Sequence, residues 1–215
     1  MEQLFIKYIL PIIDEKNPKA MLEIGVLEGK HTYSLLKWCV QSDAVLVSVD
    51  AAPWEADIPA SLKKGAEGFV YKRGSDSERA AIKPWFIERI FVEGLEKRWT
   101  CEKNTSLAYL FKCSKNFDVV FVDGDHNYYT VLHELRLLSG LLNSGGLIFI
   151  HDISNPSCAR RDYYYDVTLI PEAFRINKRQ GILSAIEDFT GEDKEFIYQE
   201  IAQEHNGLGL LRKQA

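Results

Sequence analysis

The sequence predicts an α/β protein built on a doubly wound, mostly parallel sheet of seven strands, with helices on both faces and an antiparallel C-terminal strand pair. Strand-like and helix-like segments alternate along most of the 215 residues. Hydrophobic residues make up 46% of the chain, enough for one buried core. The segments EFIYQEI and LGLLRK lie so close together that an antiparallel hairpin is expected. We therefore treat residues 1–215 as a single domain.

In the first half of the chain, a helix is predicted first, because apolar side chains recur at helical spacing from Leu4 to Ile13 despite Pro11. A buried strand follows, AMLEIG, and then a helix, KHTYSLLKWCV. The β-branched run AVLVSVD predicts a second strand that ends at Asp50. Residues 51–83 fit this alternation worst and are predicted to be an insertion.

In the second half, the alternation resumes with a predicted helix, PWFIERIFVEGLEKR, and a short strand, WTCEKN. The short helix SLAYLFKC is expected to begin with Ser106 as its N-cap. The next three segments predict a strand, a helix and a strand: FDVVFVD, YYTVLHELRLLSGLL and GLIFIHD. The last predicted helix, GILSAIEDF, precedes the hairpin.

Composition and charge restrict the function classes. A net charge of −5 and a pI near 5.6 argue against a broad basic surface for nucleic acid. Glu2 stands where a signal peptide carries positive charge, and no stretch reaches membrane-spanning length. Four scattered cysteines without metal-site spacing fit a reducing cytoplasm. We expect a cytoplasmic protein with neither a nucleic-acid nor a membrane partner, and the sequence leaves a homo-oligomer open.

Polar or acidic residues end five consecutive predicted strands. In an open parallel sheet, ligands bind beyond the carboxyl ends of the strands, where the strand order reverses. Five such ends together predict a ligand site. Its candidate residues are Glu23, Gly25, Asp50, Asn104, Ser106, Asp123, His126, His151 and Asp152.

The first loop, EIGVLEGKHT, indicates which cofactor binds. It has two glycines, Gly25 and Gly29, rather than the three of a dinucleotide loop. The carboxylates of Glu23 and Glu28 would repel a pyrophosphate, whereas they suit a ligand that carries an amine and a sulfonium. Asp50 could accept hydrogen bonds from ribose hydroxyls of either NAD or S-adenosylmethionine, so the loop separates the two cofactors.

These segments together resemble the class I S-adenosylmethionine-dependent methyltransferases. The five motifs that carry the resemblance are, in order, LEIGVLEGKHT, VSVD, FIERIFVEGLEKRWTCEKNTS, FDVVFVDGDHNYY and LLNSGGLIFIHD. Within that class, VDGDH followed by HD is most similar to the bacterial small-molecule O-methyltransferases that include the macrolide-sugar enzymes. The resemblance implies a Rossmann-like methyltransferase fold. The expected cofactor-binding residues are Glu23, Gly25, Gly29, Asp50, Asn104, Ser106 and Asp123.

The resemblance also implies a magnesium site and a catalytic base. In those relatives, residues that match Asp123 and the pair His151–Asp152 hold the ion, and the histidine that matches His126 is the base. This chain has His151 where the relatives carry Glu, and imidazole there makes Mn²⁺ more plausible. The residues alone leave open a metal-free pair of carboxylates, a structural role for His126, and a role for His151 as second base, metal ligand or packing residue.

A substrate-facing segment is expected at residues 153–175, after the fifth strand. Its stretch CARRDYYYD could pair Arg160 and Arg161 with an anionic substrate and stack tyrosines on a ring, or be a solvated loop. The predicted activity is methyl transfer from S-adenosylmethionine to a hydroxyl of a small-molecule acceptor. Two alternatives stay open: an NAD-dependent oxidoreductase, and a catalytically silent S-adenosylmethionine-binding protein.

Overall fold

A computed structural model of the protein describes residues 2–26, 29–51, 54–55, 70–71, 85–163, 171–175 and 178–214. Most of the predicted insertion at residues 51–83 lies outside these residues, apart from two short strands. The strands are β1 (Ala20–Ile24), β2 (Val45–Asp50), β3 (Trp54–Glu55), β4 (Val70–Tyr71), β5 (Trp99–Lys103), β6 (Phe117–Val122), β7 (Leu142–His151), β8 (Phe196–Ala202) and β9 (Leu208–Lys213).

Seven of these strands form one sheet in the order β5-β2-β1-β6-β7-β9-β8. The five strands from β5 to β7 are parallel to one another. Strand β9 runs antiparallel to both β7 and β8. The predicted fold class is therefore confirmed, including the antiparallel C-terminal pair. Strands β3 and β4 pair separately.

Helices connect the parallel strands. Their bounds are α1 (Glu2–Leu4), α2 (Leu10–Lys16), α3 (Lys30–Ser42), α4 (Trp85–Val92), α5 (Ser106–Lys112), α6 (Tyr128–Leu141), α7 (Glu172–Arg175) and α8 (Gly181–Glu192). Between α1 and α2 the chain widens into a π-helical turn, Phe5–Ile9, just before Pro11, which has no N–H to donate. The predicted cap of α5 was wrong by one residue, because Thr105 and not Ser106 accepts the Ala108 N–H.

The core has two parts, one on each face of the sheet. Met21 of β1 belongs to one hydrophobic cluster, while Leu22 and Ile24 belong to the other. Both faces of β1 are therefore covered, which explains why all its residues except Glu23 are apolar.

Candidate functional site

The strand order reverses beside β1, at Gly25. From β1 the chain continues to β2 and β5 on one side, whereas β6 and β7 lie on the other. Gly25 has a φ of +89°, and a Cβ there would overlap the Asp123 carbonyl group. Asp123 N in turn donates to Ile24 O at 2.9 Å. Only glycine permits this approach, so the loop after β1 and the loop after β6 meet at their backbones.

The loop after β1 is also tied to the end of β2. Asp50 Oδ2 accepts the Val26 N–H at 2.8 Å, and Asp50 O accepts the Asn104 N–H at 3.2 Å. Gly29, with a φ of +71°, forms the N-terminal end of α3. The structure thus brings Gly25, Gly29, Asp50 and Asn104 to one edge of the sheet. Glu28 lies outside the described residues.

Glu23 does not line this edge as expected. Its side chain is 1% exposed, and Oε2 accepts hydrogen bonds from Thr32 Oγ1 at 2.8 Å and Ser48 Oγ at 2.7 Å. Oε1 lies 3.1 Å from His31 Nδ1. A buried carboxylate needs such donors. Glu23 thus supports the loop from beneath, because β1 turns this side chain toward α3, and its direct contact with the cofactor stays a prediction.

The four predicted catalytic and metal residues meet at the ends of β6 and β7. His126 Nε2 lies 3.0 Å from Asp152 Oδ2 and 3.5 Å from Asp123 Oδ1. His151 Nδ1 lies 3.1 Å from Asp123 Oδ1 and 3.5 Å from Asp152 Oδ1. All four side chains are largely or partly buried. We call Asp123, His126, His151 and Asp152 the His–Asp cluster.

The His–Asp cluster has the chemistry of a cation site. Asp123, His126 and Asp152 each offer a ligand atom, and these atoms lie within 4.8 Å of one another. Neighbouring ligands of an octahedral ion with bonds of about 2.1 Å lie about 3.0 Å apart. The separations of 3.0–3.5 Å in the cluster are close to that spacing. His151 Nδ1 also lies within 3.5 Å of both carboxylates, so the two carboxylates and one of the two imidazoles fit a divalent ion.

The carboxylates and imidazoles shift one another's pKa strongly. Burial alone would lower the pKa of His126, but contacts with Asp123 and Asp152 outweigh it and raise this pKa to about 10. Burial alone would raise the pKa of Asp123, but its contacts with the two imidazoles outweigh burial and lower this pKa to about 2. The pKa of His151 is also raised and that of Asp152 lowered. Without a cation in the cluster, the pKa of His126 therefore lies well above the ordinary value of histidine.

Asp162 connects the segment after β7 to the loop that carries His126. Its Oδ1 accepts the N–H groups of Tyr128 at 2.7 Å and Gly181 at 2.8 Å, which begin α6 and α8. Tyr163 N donates to His126 O at 3.1 Å. The sequence analysis missed Asp162, because no local pattern relates it to a helix 34 residues earlier. The substrate-facing role of this segment stays a prediction.

Arg160, considered as an anion-binding residue, forms an ion pair with Glu187 at 2.5 Å. Its pKa is raised chiefly by that partner. Tyr163 is 49% exposed, while residues 164–170 lie outside the described residues. An anionic substrate would have to compete with Glu187 for the guanidinium group.

Glu134 is a second acidic residue that sequence reasoning missed. Its side chain is 0% exposed, and neither carboxylate oxygen has a hydrogen-bond partner among the described residues. Burial raises its pKa to about 8, against a smaller opposing effect of the Ser106 hydroxyl. A glutamate at a position of α6 that helical spacing assigns to the core was the available signal. Ser106 itself, a predicted cofactor residue, is half-buried at the start of α5 and close enough to affect this acid.

No helix among the described residues is long and apolar enough to cross a membrane.

A family model described as a methyltransferase domain matches residues 22–153. This match includes every residue of the His–Asp cluster and the loop after β1 that carries Gly25 and Gly29, which we call the glycine loop. No curated protein matches the chain.

Solved structures of methyltransferases have the same fold. The methyltransferase PaMTH1 of Podospora anserina, bound to SAH, is 16% identical with a TM-score of 0.62, covering 97% of this chain and 77% of its own. An O-methyltransferase of Bacillus cereus in complex with SAH is 14% identical with a TM-score of 0.59, covering 97% and 80%. The O-methyltransferase TomG of Streptomyces achromogenes, involved in tomaymycin synthesis and in complex with SAM, is 15% identical with a TM-score of 0.56, covering 95% and 77%.

Proposed function

The chain belongs to the methyltransferase domain family, and from this premise we propose that it transfers the methyl group of S-adenosylmethionine to a hydroxyl oxygen of a small molecule. One observation carries the proposal: the His–Asp cluster begins at Asp123, whose carbonyl group occupies the space that a Cβ at Gly25 would need and whose N–H donates to Ile24 O. Groups that can activate a hydroxyl therefore stand beside the loop expected to hold the methyl donor. Two structures of the same fold, an O-methyltransferase in complex with SAH and another in complex with SAM, support the same function.

The cofactor is assigned to the edge formed by Gly25, Gly29, Asp50, Asn104 and Ser106. Asp50 closes β2 and is proposed to accept hydrogen bonds from the ribose hydroxyls. The loop after β1 has two glycines, Gly25 and Gly29, rather than the three of a dinucleotide loop, which disfavours the pyrophosphate of NAD. The comparisons give the oxidoreductase alternative no support.

The reaction needs alignment and one proton transfer. The acceptor oxygen attacks the methyl carbon in line with sulfur, so that an O–C bond forms while the S–C bond breaks. The products are a methyl ether and S-adenosylhomocysteine, and the hydroxyl proton leaves to a base. Because the sulfonium methyl is already activated, positioning and deprotonation are the main contributions of the protein.

His126 is the proposed base, and the carboxylates around it decide its protonation. Between two anions the imidazole stays protonated and cannot act as a base. It can lose this proton, and then accept the proton of the acceptor hydroxyl, only when a second positive group compensates Asp123 and Asp152. Mg²⁺ or Mn²⁺ held by Asp123, Asp152 and His151 would supply that charge and lower the pKa of a hydroxyl bound to it. The sulfonium of a bound cofactor would add further positive charge.

The test begins with the cofactor. Calorimetric titration with S-adenosylmethionine and with NAD is expected to show binding of the first alone, and binding of NAD alone would overturn the assignment. Transfer of a labelled methyl group is then measured by mass spectrometry over a panel of sugars, phenols and other hydroxylated molecules. Methylated product is expected at oxygen. S-adenosylmethionine binding without transfer to any acceptor, with and without Mn²⁺, would favour the silent binding protein instead.

A further inference from the structure

Three consecutive carbonyl groups in the turn between β8 and β9 accept hydrogen bonds from the segment that carries the end of the His–Asp cluster. We call residues 204–207 the carbonyl turn. Because β9 runs antiparallel to β7 with Leu208 opposite His151, this turn lies directly at the end of β7. The three bonds are His151 Nε2 to His205 O (3.0 Å), Asp152 N to Gly207 O (3.2 Å) and Ser154 N to Asn206 O (2.7 Å).

The backbone of the carbonyl turn is closely specified. His205, Asn206 and Gly207 have φ values of +52°, +71° and +86°, and Asp152 opposite them has +64°. Residues other than glycine rarely adopt backbone angles in this left-handed region. A Cβ at Gly207 would overlap Ser154. The turn and the residues after β7 therefore fit together only in this arrangement.

The N-terminal helical segment anchors the carbonyl turn from its other side. Lys7 Nζ and Tyr8 Oη donate to Glu204 Oε1 at 2.6 and 2.7 Å. Gly207 N donates to Glu204 O at 3.0 Å, which closes the turn. Contacts with Lys7 and Tyr8, together with the bond between Gly207 N and Glu204 O, thus hold the turn that contacts His151.

The acceptor on His151 Nε2 decides which ring nitrogen faces the site. A backbone carbonyl can only accept a hydrogen bond, so Nε2 carries the hydrogen of this pair. Nδ1 is then the nitrogen directed at Asp123 and Asp152, at 3.1 and 3.5 Å. Metal-binding histidines commonly donate their second N–H to such a carbonyl, which fixes the ring and its tautomer.

We infer that the carbonyl turn is a positioning element that holds His151 as the Nε2–H tautomer and presents Nδ1 to Asp123 and Asp152. This deepens the proposed function and rests on it, since the turn prepares the same cluster for a cation. A nitrogen donor in place of a third carboxylate makes the cluster favour Mn²⁺ and later transition metals over Mg²⁺.

The tautomer is tested first without metal and then with Zn²⁺. Long-range proton–nitrogen correlation spectra of ¹⁵N-labelled wild-type protein, recorded at alkaline pH and again with Zn²⁺, identify the protonated nitrogen of His151. The expected spectrum shows hydrogen on Nε2 in both conditions. Hydrogen on Nδ1, or an even mixture of the two forms, would overturn the inference.

The positioning role is tested by a matched pair of glycine variants. Gly207→Ala forces the turn away from Ser154, whereas Gly94→Ala places alanine at a φ of +70° with no neighbouring atom within 4 Å. Mn²⁺ affinity, measured from the paramagnetic resonance signal of the aqueous ion, should fall about 10- to 100-fold in Gly207→Ala and stay unchanged in Gly94→Ala. S-adenosylmethionine affinity should stay at the wild-type value in both.

The outcomes separate this inference from the proposed function. Unchanged Mn²⁺ affinity in Gly207→Ala, or an equal loss in both variants, would contradict the role of the turn. If the wild-type protein binds no Mn²⁺, the metal part of the proposed function is contradicted instead. The metal-free spectrum of His151 in the wild type would then still test whether the carbonyl turn fixes the tautomer. If Gly207→Ala does not fold, the wild-type spectrum of His151 alone tests the inference.

Discussion

Replacement of Glu134 by glutamine should change how the free energy of unfolding depends on pH. The Glu134 carboxyl is 0% exposed, and burial raises its pKa to about 8. In the unfolded chain the same carboxyl has a pKa of about 4.3. The side chain of Glu134→Gln has nearly the same shape and does not titrate.

The sign follows from the raised pKa. Below pH ~4 the carboxyl is protonated in both states, so its contribution to stability is fully present. As the pH rises toward 8, unfolding of the wild type releases about one proton, and this contribution is lost at about 1.4 kcal/mol per pH unit. Between pH ~5.5 and ~7.5 the wild type should lose on the order of 2–3 kcal/mol relative to Glu134→Gln.

The assay is urea unfolding of both proteins at a series of pH values, followed by far-ultraviolet circular dichroism. The difference between the two curves cancels the titration of all other groups that do not interact with Glu134. Glu200→Gln, at an exposed position of β8, is the control and should follow the wild type. If the difference between wild type and Glu134→Gln does not vary with pH, Glu134 is hydrated or ionised in the folded protein and the reasoning fails.

Three further predictions concern the site. Asp50→Ala should weaken S-adenosylmethionine binding by about 1.5–3 kcal/mol, the range for hydrogen bonds to a charged group. The control Asp43→Asn, just before the first residue of β2, should leave this affinity unchanged. Unchanged calorimetric affinity in folded Asp50→Ala would contradict the assignment of Asp50 to the ribose. Methyl transfer should fall with EDTA and recover with excess Mn²⁺ or Mg²⁺, and a rate indifferent to chelation would leave a metal-free mechanism. His126→Ala should lower turnover about 10²- to 10⁴-fold at unchanged cofactor affinity, and normal turnover would return His126 to a structural role.

The fold was predictable because its signals are local. The alternation of strands and helices identified every strand of the main sheet, and short spacing identified the antiparallel pair. The parallel pairing of β6 with β7 then brought the residues after these two strands together. Confirmation extends to the methyltransferase family, while the cytoplasmic location, single-domain organisation and a homo-oligomer stay predictions.

The parts of the site that sequence reasoning missed depend on contacts between distant segments. The inward direction of Glu23 depends on donors in α3 and β2, and nothing within β1 specifies them. Asp162 serves two helix ends that the sequence places far from it. The carbonyl turn acts through backbone oxygens, which every residue possesses and no motif marks.

The anchoring of the carbonyl turn has a consequence for the order of folding. The turn lies 54 positions from His151 and 197 positions from Lys7 along the chain. Contacts of such long sequence separation form late, because the loop-closure entropy must be paid before they stabilise anything. The glycine loop and β2 form their bonds within about 25 residues of one another. A refolding chain should therefore join the loop after β1 to the end of β2 before the carbonyl turn reaches Lys7, so that parts of one site mature at different times.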